Sequence, residues 1–224
     1  MARQLSFDLP VRTALGREDF FVSDANKNAV ALIEAWQNWP DRKLALIAPE
    51  GAGKTHLVHV WADMSQAQIV SAHDLGRHDI PALGRAPCAV EDCEGVSGSP
   101  EAERALLHLH NLALAEGQSL LLTARAAPRD WNIALPDLAS RMQATPTIAI
   151  TAPDDALLSA VLMKHFQDRQ IFPPPDLVPY LARRMDRSFA AARDVVDRLD
   201  RLALHEQRTL TRGLARRVLD NPDK

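Results

Sequence analysis

Leu44 to Leu57 reads L-A-L-I-A-P-E-G-A-G-K-T-H-L, and this stretch decides how the chain folds. Leu44 to Ile47 is apolar and has the length of a buried strand. Gly51 and Gly53 follow, and Lys54 and Thr55 come directly after them. That order suits anion binding. A strand ends, a glycine turn aims backbone N–H groups at one point, and a helix starts with its positive dipole end there. In such a loop the lysine reaches the terminal phosphates and the threonine hydroxyl ligates Mg²⁺, so Lys54 and Thr55 are the first candidate nucleotide and metal residues. The usual pattern opens with one more glycine, where this chain has Ala48.

Upstream, Phe20-Phe21-Val22 is a compact apolar cluster. Ser23 or Asp24 is placed to cap a helix over about 25–38. Val30, Ile33 and Trp36 recur at helical spacing, and Pro40 ends the run. Residues 1–19 lack clear periodicity and read as an extended arm. Within it Leu5, Phe7 and Leu9 alternate with Ser6 and Asp8. That pattern fits either an edge strand or tail, or a peptide offering one apolar face to a partner.

Downstream, Gln68-Ile69-Val70 and Cys88-Ala89-Val90 are short strands, with loop markers at Gly84 and Pro87. His73 and Asp74 read as a helix cap. Glu91 and Asp92 stand at the C-terminal end of the second strand, the edge at which open parallel sheets bind ligands. One carboxylate there can hold Mg²⁺ through water while the other polarises an attacking water, which makes both metal and catalytic candidates. Residues 101–116 form an amphipathic helix. Ser119 to Leu122 is a strand with Thr123 at its end, a helix near 138–142 presents Arg141, and Thr147 to Ile150 is the last strand. Strands alternating with helices from 44 to 150 predict a five-stranded parallel sheet covered on both faces.

After Ala152 the strand pattern stops. Pro153-Asp154-Asp155 opens a helix, Pro173-Pro174-Pro175 breaks the chain, and Asp176, Ser188 and Thr211 can open three more helices. The expected organisation is an arm over 1–19, a nucleotide-binding α/β domain over 20–151 and a small all-helical domain over 152–224. The helical part is rich in arginine, but interleaved acids make most of it a solvated, salt-laced face. Arg187 is the exception, since an arginine there can close over bound phosphates.

Composition narrows the function. The chain has 224 residues, 46% of them hydrophobic and 25% charged, as in soluble globular proteins. A net charge of −3 gives no global basic footprint for nucleic acid. Cys88 and Cys93 suit a reducing cytosol and are too few to close a tetrahedral metal site. No signal-peptide pattern or transmembrane-length apolar run occurs, so a cytoplasmic location is expected.

A P-loop α/β body followed by a helical lid resembles an AAA+ module. P-E-G-A-G-K-T-H-L, residues 49–57, resembles the P-loop of the bacterial initiator DnaA and its relatives. L-P-D-L-A-S-R-M, residues 135–142, resembles a segment of the Hda family, the DnaA-homologous replication regulators. Q-L-S-F-D-L, residues 4–9, resembles the sliding-clamp-binding peptides that Hda proteins carry at this end. The resemblance implies that Gln4, Leu5, Phe7 and Leu9 dock on the clamp, and that Phe20, Phe21 and Val22 lie near an adenine. It implies that Pro49, Gly51, Ala52, Gly53, Lys54, Thr55 and His56 hold ADP or ATP with Mg²⁺. It makes Arg141 an arginine finger, which stabilises phosphoryl transfer on a neighbouring subunit's nucleotide. Three departures bear on hydrolysis by this chain: Ala48, Glu91 where many relatives have aspartate, and Arg125 where DnaA relatives often have a polar sensor. The lid sensor arginine corresponds to Arg187 or, without a gap, to Ala190.

The reading that follows is an Hda-like negative regulator of replication initiation. It binds a nucleotide, docks on the DNA-loaded sliding clamp and stimulates ATP hydrolysis by DnaA through Arg141, with little or no ATPase of its own. The alternative is a self-sufficient AAA+ ATPase that loads or remodels a replication partner. The expected partners are the clamp, DnaA and, as an open alternative, a second copy. Neither a membrane nor sequence-specific DNA reading is expected.

Overall fold

A computed structural model describes residues 21–220. The arm, with Gln4, Leu5, Phe7 and Leu9, lies outside the described residues, and so does Phe20.

The first helix, α1, spans Lys27–Glu34. It is shorter than the expected 25–38, and its cap residue is Asn26 rather than Ser23 or Asp24. Asn26 Oδ1 accepts from Ser23 N at 2.8 Å and its Nδ2 donates to Phe21 O at 2.8 Å, so this buried amide ties down the entry loop instead of the first turn. A separate 3₁₀ turn, Trp36–Asn38, follows. Trp36 and Trp39 leave the helix line to pack on Trp61, edge-on at 6.3 Å and stacked at 5.4 Å. Burial of three indoles outweighs another helical turn.

Strands β1 (Lys43–Ile47), β2 (Gln68–Ser71), β3 (Cys88–Glu91), β4 (Leu120–Ala124) and β5 (Thr147–Ala149) form one sheet of order β2-β3-β4-β1-β5. Every pairing is parallel. The central strands alternate between two cores, as a pleat requires. Ala45, Cys88, Val90, Leu120 and Leu122 face one core. Leu44, Leu46, Ala89 and Leu121 face the other. The first core is covered by α3 (Ile80–Leu83), α4 (Pro100–Ala115) and α5 (Pro136–Gln143). The second is covered by α1 and α2 (Lys54–Ser65). Both faces being buried explains the near-continuous apolar runs of the strands.

Between β2 and β3 the chain is more helical than expected. A 3₁₀ segment spans Ala72–Arg77, with Ser71 Oγ accepting from His73 N, and Asp79 caps α3 through Ala82 N. His73 and Asp74 thus lie inside a helical turn rather than capping one. Helices α6 (Asp155–Asp168), α7 (Leu177–Ala182), α8 (Phe189–Glu206) and α9 (Arg212–Asp220) form the lid. Asp154, Ser188 and Thr211 cap α6, α8 and α9 from their side chains, whereas Asp176 precedes α7 without a side-chain cap bond. The lid has its own core, built around Leu162, Phe166, Leu181, Val196 and Leu199. Among the described residues no helix is long and apolar enough to cross a membrane.

Candidate functional site

The loop between β1 and α2 has the conformation that its glycines allow. Gly51 has φ +71° and Gly53 φ +94°, both in the left-handed region where a side chain is strained. Gly53 is the N-cap of α2, and no side chain caps this helix end. The N–H groups of Lys54 and Thr55 stand there as donors at the positive end of the dipole. Lys54, the first helical residue, is only 8% exposed, and its Nζ donates to Ala48 O at 2.7 Å and Pro49 O at 3.1 Å. Burial holds the ammonium pKa below its ordinary value; Asp92, Glu94 and Glu50 push it back up, and Arg125 pulls it further down. A buried cation bonded to neutral carbonyls, beside uncapped helical N–H groups, is a donor set that fits phosphate.

The acidic side comes from the ends of β3 and β4. Glu91 Oε1 accepts from Thr55 Oγ1 at 2.8 Å. Asp92 takes a left-handed conformation, φ +55°, and its N–H donates to Thr123 Oγ1 at 3.2 Å. Asp92 is exposed, and its carboxylate lies near enough to Lys54 to act on the ammonium. Thr55, Glu91 and Asp92 together offer the oxygen donors a hard divalent cation takes. The fold thus brings together the P-loop, Thr55 and both carboxylates, although they are far apart in sequence.

Arg125 and Glu94 complete this edge. The Arg125 guanidinium pairs with Glu50 at 3.1 Å and with Glu94 at 3.7 Å, while Glu94 Oε1 also accepts from Arg125 N at 3.1 Å. Glu94 Oε2 is buried and has no hydrogen-bond partner among the described residues. Glu94 was not anticipated as a site residue. The signal was its place as the third acid in Glu91-Asp92-Cys93-Glu94, a density of carboxylates that one solvated turn does not need. Cys88 and Cys93 take no part: burial pushes the Cys88 thiol up to about 12 and Cys93 well above its ordinary value. Neither is a reactive thiolate at neutral pH.

The lid touches the P-loop directly. Phe189 N, at the start of α8, donates to Gly51 O at 2.7 Å, and a Cβ on Gly51 would meet Ser188 Cβ at 2.9 Å and Ala190 Cβ at 3.4 Å. Arg187 turns elsewhere. Its Nη2 bonds Asp155 at 2.6 Å and its Nη1 donates to Pro153 O at 3.3 Å, so the guanidinium braces the start of the lid. Of the two candidate sensor positions, Ala190 is the one that lies against the loop. Phe21 and Val22 are partly exposed at the near end of α1, and His56 is half-buried on the first turn of α2.

Arg141 stands at the other edge of the sheet. It lines a pocket with Lys43, the first residue of β1, and with His110 of α4. Four residues of strand separate Lys43 from the end of β1, roughly 13 Å, and the P-loop lies beyond. The Arg141 side chain is 39% exposed and its Nε pairs with the exposed Asp137 one turn earlier, at 3.2 Å. It is held on its helix surface at the start of β1, the end of the strand opposite the loop that leads to α2. The buried Glu103 of α4 accepts from Ala134 N at 3.0 Å and Leu135 N at 2.7 Å, fixing the entry of α5 and hence Arg141.

Residues 155–219 match the family model of the Hda lid domain. The whole fold is similar to domain III of the replication initiation protein DnaA from Thermotoga maritima, at 16% identity and a TM-score of 0.79, over 95% of this chain and 98% of that one. It is also similar to a replication initiator DnaA bound to AMPPCP and single-stranded DNA, at 14% identity and a TM-score of 0.71, over 85% of this chain and 67% of that one. AMPPCP-bound DnaA from Aquifex aeolicus matches at 14% identity and a TM-score of 0.68, over 84% of this chain and 64% of that one. At such identities the likeness is one of fold, and the fold is that of DnaA domain III.

Proposed function

We propose that this chain, an Hda/DnaA-like AAA+ protein, is a regulator that switches off the initiator DnaA by completing the hydrolytic site of DnaA-bound ATP. The observation that carries this reading is the position of Arg141. It is a half-exposed guanidinium at the edge of the sheet remote from the chain's own P-loop. From there it can serve a phosphate only on another subunit. An arginine supplied in trans neutralises charge that develops on the transferred phosphoryl group. In this reading the chain's own ADP or ATP, held with Mg²⁺ by residues 49–56, Glu91 and Asp92, acts mainly as a ligand that sets the lid. Phe20, Phe21 and Val22 take the adenine, and Arg187 sets the lid angle. Residues 4–9 tether the protein to the DNA-loaded sliding clamp, which raises its effective concentration at the site of replication. The working domains are the arm 1–19, the α/β body 20–151 and the lid 152–224, in the cytoplasm.

The experiment is turnover of DnaA-bound ATP with clamp loaded on DNA. Arg141→Ala lowers the stimulated rate on the order of 10³-fold. A stimulated rate equal to that of the unsubstituted chain refutes the trans mechanism.

One observation favours a second reading, a self-sufficient ATPase that remodels or loads a partner: Thr55, Glu91 and Asp92 share one edge with Lys54. It requires turnover by the isolated protein that is lost on Lys54→Ala. Negligible turnover by the isolated chain removes it.

A further inference from the structure

The pocket beside Arg141 holds an unusual buried charge. Lys43 is 5% exposed and His110 is 2% exposed, and their contact, Nζ to Nε2, is a long 3.5 Å. The second ring nitrogen of His110 faces Asn111 Oδ1 at 3.3 Å. No carboxylate of the described residues pairs with Lys43 Nζ. Burial holds the Lys43 ammonium below the ordinary lysine value; Asp41, in the same pocket lining, opposes the shift and the Arg141 guanidinium adds to it. Burial likewise depresses His110, with Lys43 and Arg141 opposing its charge. The chain therefore keeps an ammonium where burial disfavours it and where only a ring nitrogen meets it. A methionine at this position would fill the same space without that cost. A charge retained against stability is expected where binding uses it.

We propose that this pocket receives a carboxylate side chain from the AAA+ subunit whose nucleotide Arg141 serves, so that Lys43 is a recognition residue of that interface. The inference rests on the trans reading of Arg141 and adds a second contact to it. Charge complementarity names the occupant. The pocket lining carries two cations, Lys43 and Arg141, against one acid, Asp41, and the Arg141 guanidinium already pairs with Asp137, so Lys43 is the cation left for an incoming carboxylate. An AAA+ subunit docking its phosphate site against Arg141 brings an acidic rim. This chain shows acids of that kind on its own P-loop edge, where Asp92 is exposed and Glu50 has a 77% exposed side chain that pairs with Arg125 at 3.1 Å. One carboxylate from that rim, seated in the pocket, completes the coordination of the ammonium and fixes the register that delivers Arg141 to the γ-phosphate. Contacts of this kind set which partner docks and how.

The test separates docking from chemistry. Hydrolysis of DnaA-bound ATP is titrated with the full chain, with clamp on DNA, using unsubstituted protein, Lys43→Met, Lys43→Arg and Arg141→Ala. Lys43→Met is expected to raise the half-saturating concentration about tenfold and to keep the rate at saturation, and Lys43→Arg to recover most of the affinity. Arg141→Ala is expected to lose the rate at saturation instead. Thermal unfolding of Lys43→Met is expected at or above the unsubstituted midpoint. An unchanged half-saturating concentration overturns the proposal. So does a lower saturated rate at the same concentration, or a lower unfolding midpoint, since either makes Lys43 a structural prop for Arg141. Absence of any stimulation by the unsubstituted chain instead removes the trans reading itself, and is thereby distinguishable.

Discussion

At the scale of single residues, burial decides which groups hold a proton. His165 on α6 is partly buried, and its pKa lies below the ordinary 6.5 because desolvation disfavours the imidazolium, with Arg169 and Arg193 repelling it further. His110 shifts the same way, again mainly through burial. A histidine depressed in the folded state takes its proton first in the unfolded state. The stability it supports is therefore complete above pH 6.5 and lost as pH falls through that value towards the folded pKa. Urea midpoints taken from about pH 7.5 down to about pH 5.5 should fall, and His165→Asn should make the decline shallower. An unchanged slope in that variant removes His165 from the account. The proposed phosphate residues are legible at this scale, because the order Gly51, Gly53, Lys54, Thr55 carries its chemistry locally. Glu94 is not, because its contacts with Arg125 depend on β3 and β4 being neighbours.

At the scale of elements, α4 and α5 are joined by a carboxylate that looks ordinary in the sequence. Glu103 falls in the first turn of an amphipathic helix, where acids are common on the solvent side. In the fold it is buried, and it satisfies two N–H groups at the entry to α5. Glu103→Ala leaves those donors without their charged acceptor and should cost about 2–3 kcal/mol in urea unfolding. Because α5 carries Arg141, stimulation of DnaA-bound ATP hydrolysis should fall as well, while nucleotide affinity stays the same. Equal loss of nucleotide affinity would show general unfolding rather than displacement of one helix. The element pattern itself was mostly readable. The exceptions were α1, which ends early so that Trp36 and Trp39 can reach Trp61, and the helical turns between β2 and β3, whose caps Ser71 and Asp79 were overlooked.

At the scale of the whole molecule, a lid with its own core meets the body at the P-loop through Phe189 N and Gly51 O. Closure of the lid and the shape of the phosphate loop are therefore coupled. Gly51→Ala strains a left-handed residue and drives a Cβ into Ser188, at 2.9 Å, so it should open the lid and weaken ADP binding at least ~10-fold. The check is thermal. ADP at about 100 times its Kd adds about 2.7 kcal/mol to the unsubstituted protein, and the same ADP concentration should add clearly less to Gly51→Ala. Equal stabilisation of both would mean that the lid contact does not bear on the nucleotide.

Taken by itself, the sequence determined the strand–P-loop–helix unit, the alternation that makes a parallel sheet, the change to helices after Ala152 and the residue types at the phosphate edge. These follow from periodicity and turn chemistry, which act over a few residues. The tertiary structure alone decided that Arg141 stands at the end of β1 opposite its own P-loop, that Lys43 and His110 share a pocket with it, and that Ala190 rather than Arg187 lies against the loop. Lys43 and His110 are 67 positions apart and meet because the strand order sets β1 beside β4 and β5. That order is chosen by burial of whole faces, and no local pattern encodes it.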